Sequence, residues 1–297
     1  MSELKMGHNN SKEFTGIIFI ILASLSVALL PNSAKFAFSD GAGMMTLLMT
    51  RGIIGLFLLT SLLIITRSSF FLPKSLIIIS IFNAVLALGM IVALYLAILY
   101  IDISLSILIL CLFPVVIAII YHLRGVEFVN LIQWTCITLV LVGLALLILN
   151  DKSTISFLGI FFSVLGMICA VITTFLSNKL INEIGALTTT FYLTLWGFLI
   201  LLLALLFTND YFPPQTNLGW AAIVINGTFN IGAWAFFFAG MQRIGATRAS
   251  MLTSVDPIFA AIIAYFLFDQ FFSLIQWVGF FLVIISLFGF EYFKKKT

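Results

Sequence analysis

The sequence predicts an all-α membrane protein with ten transmembrane helices in two inverted five-helix repeats, and three observations lead there. Apolar residues make up 63% of the 297 and charged residues only 8%, with a mean hydropathy of +1.25. Soluble domains carry about a quarter charged residues. Short polar punctuation cuts the apolar sequence into ten runs of roughly 20 to 25 residues, the length that crosses a bilayer core about 30 Å thick. The second half also echoes the first at an offset of 143 positions. Pro114 falls on Pro257, Leu131-Ile132-Gln133-Trp134 on Leu274-Ile275-Gln276-Trp277, Asn83 on Asn226, Gly89 on Gly232 and Ile101 on Ile244. Phe14-x-Gly16-Ile17-x-Phe19 returns as Phe157-x-Gly159-Ile160-x-Phe162. A fixed period of this kind marks a duplicated structural unit.

In chain order, residues 1–13 form a polar cytoplasmic tail that reads as disordered. The first repeat, 14–150, holds spans at 14–38, 44–66, 75–100, 104–121 and 129–149. The second, 151–293, holds spans at 155–180, 186–207, 218–241, 246–268 and 271–293, and residues 294–297 are a basic cytoplasmic tail. Pro114 and Pro257 are expected to kink the fourth and ninth spans, since proline removes a helical hydrogen bond. Gly89, Gly143, Gly166, Gly232 and Gly279 read as close helix contacts. Lys5 and Lys12 ahead of an apolar run resemble a secretory signal. The same run has a counterpart at Phe157, deep in the chain, so it is read as a retained first span.

Orientation follows from the basic residues, which concentrate on cytoplasmic loops. One side would hold Lys5, Lys12, Arg67, Lys74, Arg124, Lys179, Arg243, Arg248, Lys294, Lys295 and Lys296, and the other Lys152 alone. Both termini are therefore expected in the cytoplasm, in the inner (plasma) membrane of a bacterium-like cell. Asp40, Asp102, Asp151, Asp210 and Asp269 all fall on the opposite turns. Five spans per half is an odd number, so the second copy enters the bilayer upside down. Repeats related in this way place a binding site between like halves near the midplane and expose it to each side in turn.

Several function classes fall away. A net charge of +3 spread over loops gives no basic face for nucleic acid. Cys111, Cys136 and Cys169 lie in apolar runs without a Cys-x-x-Cys pair and read as small buried hydrophobes. His8 and His122 belong to no cluster with metal-ligand spacing. There is no phosphate-binding Walker loop and no nucleophile motif, so neither nucleotide hydrolysis nor catalysis is expected, and no cofactor.

The segments Arg243-Ile-Gly-Ala-Thr-Arg-Ala-Ser250, Asp256-Pro257-Ile-Phe-Ala-Ala261 and Leu274-Ile-Gln-Trp277-Val-Gly279 resemble the second repeat of the EamA family in the drug/metabolite transporter superfamily. Tyr95-Leu-Ala-Ile-Leu-Tyr100, Pro114 and Gln133-Trp134 resemble its first repeat. Asp256 stands where the family usually has Glu, and Asp269-Gln270 where members commonly show Gly-Glu. The resemblance implies ten helices around a central cavity and movement of small organic metabolites, often outward export of amino acids or related compounds. The expected function is thus secondary transport by alternating access, with multidrug or nucleotide-linked carriage as the alternative. A non-transporting scaffold and a lipid-acting membrane enzyme are more distant ones. The expected partners are a small-molecule substrate, a coupling proton or counter-substrate and the lipid bilayer, with a monomer or homodimer as the assembly.

Polar residues inside the spans are the candidate substrate-binding positions. Asp256 lies about ten residues into the ninth span, near mid-membrane, where a carboxylate costs about 2.5 to 3.5 kcal/mol unless it faces protein or water. It reads as the partner of a substrate amine or as a proton carrier, and alternatively as a packing group near Pro257. Phe113 fills the matching place in the first half. Arg51 in span two could hold Asp256 or a substrate carboxylate, or snorkel to headgroups; Lys35 is shallower and reads as snorkelling. Asn226, Asn230 and Trp234 fall four apart on one face of span eight and form a candidate cavity wall. Asn32 and Asn178 are further amide candidates, and Tyr95, Tyr192 and Trp196 aromatic ones. Asn83, repeated as Asn226, reads as scaffold.

Overall fold

In lipid every backbone N–H and C=O must be satisfied within the chain, so long apolar runs become helices. The computed structural model describes residues 2–98, 100–101, 106, 109–126, 128–148, 156–207, 211–256, 258–259, 262–263, 266 and 273–293. Among the expectations above, those on Asp102, Asp151, Lys152, Asp210, Pro257, Asp269, Gln270 and Lys294 to Lys296 lie outside the described residues, as do the side chains of Lys35 and Tyr95.

Among the described residues, the helices given bounds in the first half are α1 (Ser2–Ser39), α2 (Met44–Ile65), α3 (Lys74–Ile98), α4 (Phe113–Leu123) and α5 (Leu131–Ile148). Those in the second are α6 (Phe157–Ile184), α7 (Ala186–Leu205), α8 (Asn217–Ile244), α9 (Ala246–Leu252) and α10 (Leu274–Tyr292), with a 3-10 turn at Thr253–Val255 after α9. No strand occurs among the described residues. Six helices there are long and apolar enough to cross a membrane, and α4, α5 and α10 contribute shorter apolar segments. Large apolar side chains such as Phe57, at 71% exposure, and Ile78, at 77%, coat the outside. The protein is an integral, multi-pass membrane protein.

The helices exchange partners between halves. α1 packs on α8 and α3 on α6, so the first helix of each half lies against the third helix of the other. Elsewhere like meets like: α2 on α7, α4 on α9 and α5 on α10. The contacts repeat at the residue level. A Cβ on Gly16 would sit 2.5 Å from Ile244, and one on Gly159, 143 positions on, would sit 2.5 Å from Ile101, itself 143 before Ile244. Gly232 faces Ser26, and Gly89 faces Cys169, which are again equivalent positions. In each case the missing side chain lets two helices close up.

The repeated Leu-Ile-Gln-Trp segments turn out to be helix starts. Asn130 accepts from Gln133 N at 2.8 Å while Gln133 Oε1 accepts from Asn130 N at 3.0 Å. Ser273 and Gln276 make the same reciprocal pair at 3.3 and 2.9 Å. These are capping boxes that satisfy the orphan N–H groups opening α5 and α10.

Three expectations are corrected. Residues 2–13 are helical, continuing α1, because Leu4, Lys5, Met6, Lys12 and Glu13 favour helix and extend one already nucleated. Pro114 opens α4 after a turn at 111–112 and does not kink a continuous helix; proline suits a first turn, where its missing N–H would have no partner. The ninth span breaks after Leu252 into the 3-10 turn, with Asp256 at its end.

Candidate functional site

At mid-length of the helices lies a cavity of about 370 Å³, within the usual size of small-molecule sites. Its walls come from both halves: α1, α2, α3 and α4 from the first, α6, α8 and the turn after α9 from the second. Most of the lining is apolar, including Met90, Leu94, Phe113 and Phe237. Below it, towards the end where Gly16 meets Ile244, Ile20, Ile117, Ile181, Phe238, Met241 and Ala249 pack into the largest core cluster.

Four of the residues singled out in the sequence come together on this cavity: Asp256, Arg51, Asn230 and Trp234. Arg51 reaches it because α2 lies close on α8, where a Cβ on Gly227 would stand 3.3 Å from Arg51 Cα. A smaller cleft of about 70 Å³ between α2, α3, α7 and α8 also borders Arg51, Asn230 and Trp234. Asp256 is aimed inward by the 3-10 turn, and its Oδ1 is buried without a hydrogen-bond partner among the described residues.

Among the described side chains, Asn226, Asn32, Asn178 and Trp196 do not line it. Asn226 Nδ2 donates to Leu30 O at 2.9 Å and to Ser33 Oγ at 3.0 Å, tying α8 to α1. The face shared by Asn226, Asn230 and Trp234 is therefore divided between helix packing and cavity. Asn32 donates to Ala28 O in its own helix at 2.9 Å. Asn178 donates to the Tyr121 hydroxyl at 3.2 Å. Trp196 Nε1 donates to Ser80 Oγ at 3.0 Å, and its ring stacks on Tyr192, whose hydroxyl donates to Phe70 O. Asn83 donates to Ser177 Oγ at 2.9 Å. Tyr95 contributes its backbone to α3.

The structure adds hydroxyls that sequence reasoning passed over. Ser24 on α1, Thr173 on α6 and Thr253 in the 3-10 turn line the cavity. Ser24 is 0% exposed and Thr173 2%, and the Thr173 hydroxyl has no partner among the described residues. Ser24 stands beside the Asp256 carboxyl. A buried polar group left unsatisfied costs about 1 to 3 kcal/mol; Asn83 Oδ1, Asn226 Oδ1, Thr247 Oγ1 and Ser286 Oγ, away from the cavity, are in the same state. Among the described residues no group of three or more His, Cys, Asp or Glu side chains gathers to hold a metal.

Charge also crosses between the halves away from the cavity. Arg248 on α9, 8% exposed, pairs with Glu13 on α1. Arg243 on α8 lies over the Phe19 ring at 4.7 Å and donates to Ala239 O at 2.7 Å.

No curated protein matches the chain. Among solved structures 29 chains match. One of them, a crystal structure, has a TM-score of 0.77 over 96% of this chain and 99% of that one at 15% identity, which shows a shared fold. Residues 157–291, nearly the whole second half, match the model described as the EamA-like transporter family. That half of the chain is therefore similar to the EamA-like transporter family, as its Arg243-to-Gly279 segments led one to expect.

Proposed function

We propose that the protein is a secondary transporter in which two inverted five-helix halves alternately expose the central cavity to the two sides of the membrane. The similarity of residues 157–291 to that family points to a transporter rather than an enzyme. The exchanged pairing of α1 with α8 and α3 with α6 supports the repeat relationship. The single observation that carries the substrate reading is one cavity, lined from both halves, that holds a carboxylate and a guanidinium in a mostly apolar wall.

A substrate with both an ammonium and a carboxylate suits that lining. Asp256 would take the cation and Arg51, helped by Asn230, the anion through charge-assisted hydrogen bonds. Trp234 and Phe237 would cover an apolar portion. An amino acid or derivative is thus the proposed cargo. Export, rather than import, rests on family resemblance, and a proton or counter-substrate is the proposed driving partner. Eleven basic residues against one favour both termini in the cytoplasm of a bacterium-like cell.

The test is reconstitution into liposomes and counterflow with a panel of amino acids, their derivatives and lipophilic cations. Amino-acid counterflow that falls at least tenfold in Asp256→Asn and in Arg51→Gln is expected. Counterflow of lipophilic cations alone would move the protein to the multidrug reading, and wild-type rates in both variants would remove these two residues from the site.

A further inference from the structure

We propose that Ser24, Thr173 and Asp256 together form a receptor for a primary ammonium group; this deepens the transporter reading and rests on it. The three oxygens come from α1, α6 and the turn after α9, so both halves contribute. All three border the same cavity; Thr173 Oγ1 and Asp256 Oδ1 are buried without a hydrogen-bond partner among the described residues, and Ser24 Oγ stands against the Asp256 carboxyl.

That state is unusual for hydroxyls inside helices, which ordinarily bond back to a carbonyl one turn earlier. Their neighbours do so: Ser26 donates to Leu22 O at 2.7 Å, Thr174 to Ala170 O at 2.8 Å and Thr194 to Thr190 O at 2.9 Å. Thr173 and Thr174 are adjacent on α6, yet only Thr174 makes this bond. Thr173 thus differs from its neighbour in leaving its hydroxyl without a backbone acceptor at the cavity wall.

The number and kind of acceptors select the ligand. A carboxylate only accepts, a hydroxyl has two lone pairs, and a primary ammonium has three donors and no acceptor. Three acceptors meet three N–H groups. An N-acyl amine is neutral with one donor, and a quaternary ammonium keeps its charge with no donor at all. The quaternary ion would still be drawn to the Trp234 face, but it would gain nothing from Ser24 or Thr173.

The experiment uses the purified full-length protein and three probes with the same apolar end: phenethylamine, N-acetylphenethylamine and phenethyltrimethylammonium. Binding is measured by isothermal titration calorimetry. The primary amine should bind at least tenfold more tightly than the other two. Ser24→Ala and Thr173→Val, which preserve volume closely, should each weaken the primary amine about tenfold and leave the quaternary ion within twofold. Circular dichroism and thermal unfolding matching wild type identify variants that fold.

Equal affinity for the amine and the quaternary ion, unchanged amine affinity in both variants, or no binding of phenethylamine would each overturn the receptor. If counterflow of acidic metabolites proceeds while amines do not bind, transport stands and the receptor falls. If amines bind with the expected variant pattern but nothing is transported, the receptor stands and the transport reading falls.

Discussion

Where α1 crosses the end of α8, Gly16 lies against Ile244, Gly240 against Ile20, and Arg243 over Phe19. Where α6 crosses the end of α3, Gly159 lies against Ile101 and Tyr100 stacks on Phe162 at 6.1 Å, while Ala97 and Ser163 hold the places of Gly240 and Ile20. The glycine–isoleucine contact is kept at both ends, and an aromatic ring is kept in the same place. The charges are not. Glu13 pairs with Arg248 at the Gly16 end, whereas the residues 143 positions away from them are Ser156 and Leu105. The Gly159 end has instead a neutral hydroxyl pair, Ser106 with Ser163 at 2.9 Å. A charge-assisted hydrogen bond is roughly twice as strong as a neutral one. The glycine–isoleucine fit is therefore common to both ends, while Gly240 against Ile20 packs the Gly16 end more tightly and the ion pair adds to the work of parting it.

The largest effect is expected from adding one methyl group at the tighter end. In Gly240→Ala the new Cβ would stand 2.4 Å from Ile20 Cδ1 and 3.0 Å from the Gly16 carbonyl oxygen, an overpacking that costs about 1 to 3 kcal/mol. The reverse change at the other end, Ala97→Gly, should cost only about 0.5 to 1 kcal/mol through helix entropy. Thermal unfolding of the two variants compares them directly, and equal losses would remove the steric difference between the ends.

Next in size is the ion pair. Glu13→Gln or Arg248→Gln should favour opening at the Gly16 end by about 1.4 kcal/mol, a factor of ten, in line with one charged hydrogen bond. The readout is the rate at which a polar maleimide, added from that side, labels Ala233→Cys on the cavity wall in a protein lacking Cys111, Cys136 and Cys169. The double exchange Glu13→Arg with Arg248→Glu should restore the slow rate. Fast labelling in the exchanged protein would mean that the pair is not a clamp.

Smaller still, Arg243→Gln should lose about 0.5 to 1 kcal/mol of cation–π attraction. Tyr100→Leu should lose about 0.5 to 1.5 kcal/mol of ring stacking at the other end, and denaturant titration of each would rank them. Gln133→Ala and Gln276→Ala should be the mildest pair, each removing one arm of a capping box for about 1 kcal/mol or less. Gln133→Ala should lose slightly more of the two, because Gln133 Nε2 also donates to Phe290 O at 3.5 Å.

Much of this molecule could be read from its residues. The offset of 143 matched Ile101 with Ile244 and Gly16 with Gly159 in advance. What it could not give was that Gly16 touches Ile244 and Gly159 touches Ile101, because a repeat says which residues are equivalent and not which are neighbours. Asp256, Arg51, Asn230 and Trp234 were noticed because charge, amide and indole are conspicuous in an apolar run. Ser24 and Thr173 were passed over because most helical hydroxyls bond their own backbone, and the sequence does not mark those that do not. Asn226 was drawn into the cavity wall by four-residue spacing, yet α8 meets α1 on the neighbouring face and takes that amide for packing. Pro114 read as a kink because a break upstream of it, at 111–112, leaves no mark in an apolar sequence.

The claim beneath all of this is that equivalent segments of the two halves lie at opposite ends of the bilayer crossing. Tyr100→Cys and Arg243→Cys, made separately in the cysteine-free protein, can be labelled with a membrane-impermeant maleimide in right-side-out and in inverted vesicles. The account predicts that each is labelled in only one preparation and that the two preparations differ. Labelling of both positions in the same preparation would contradict it.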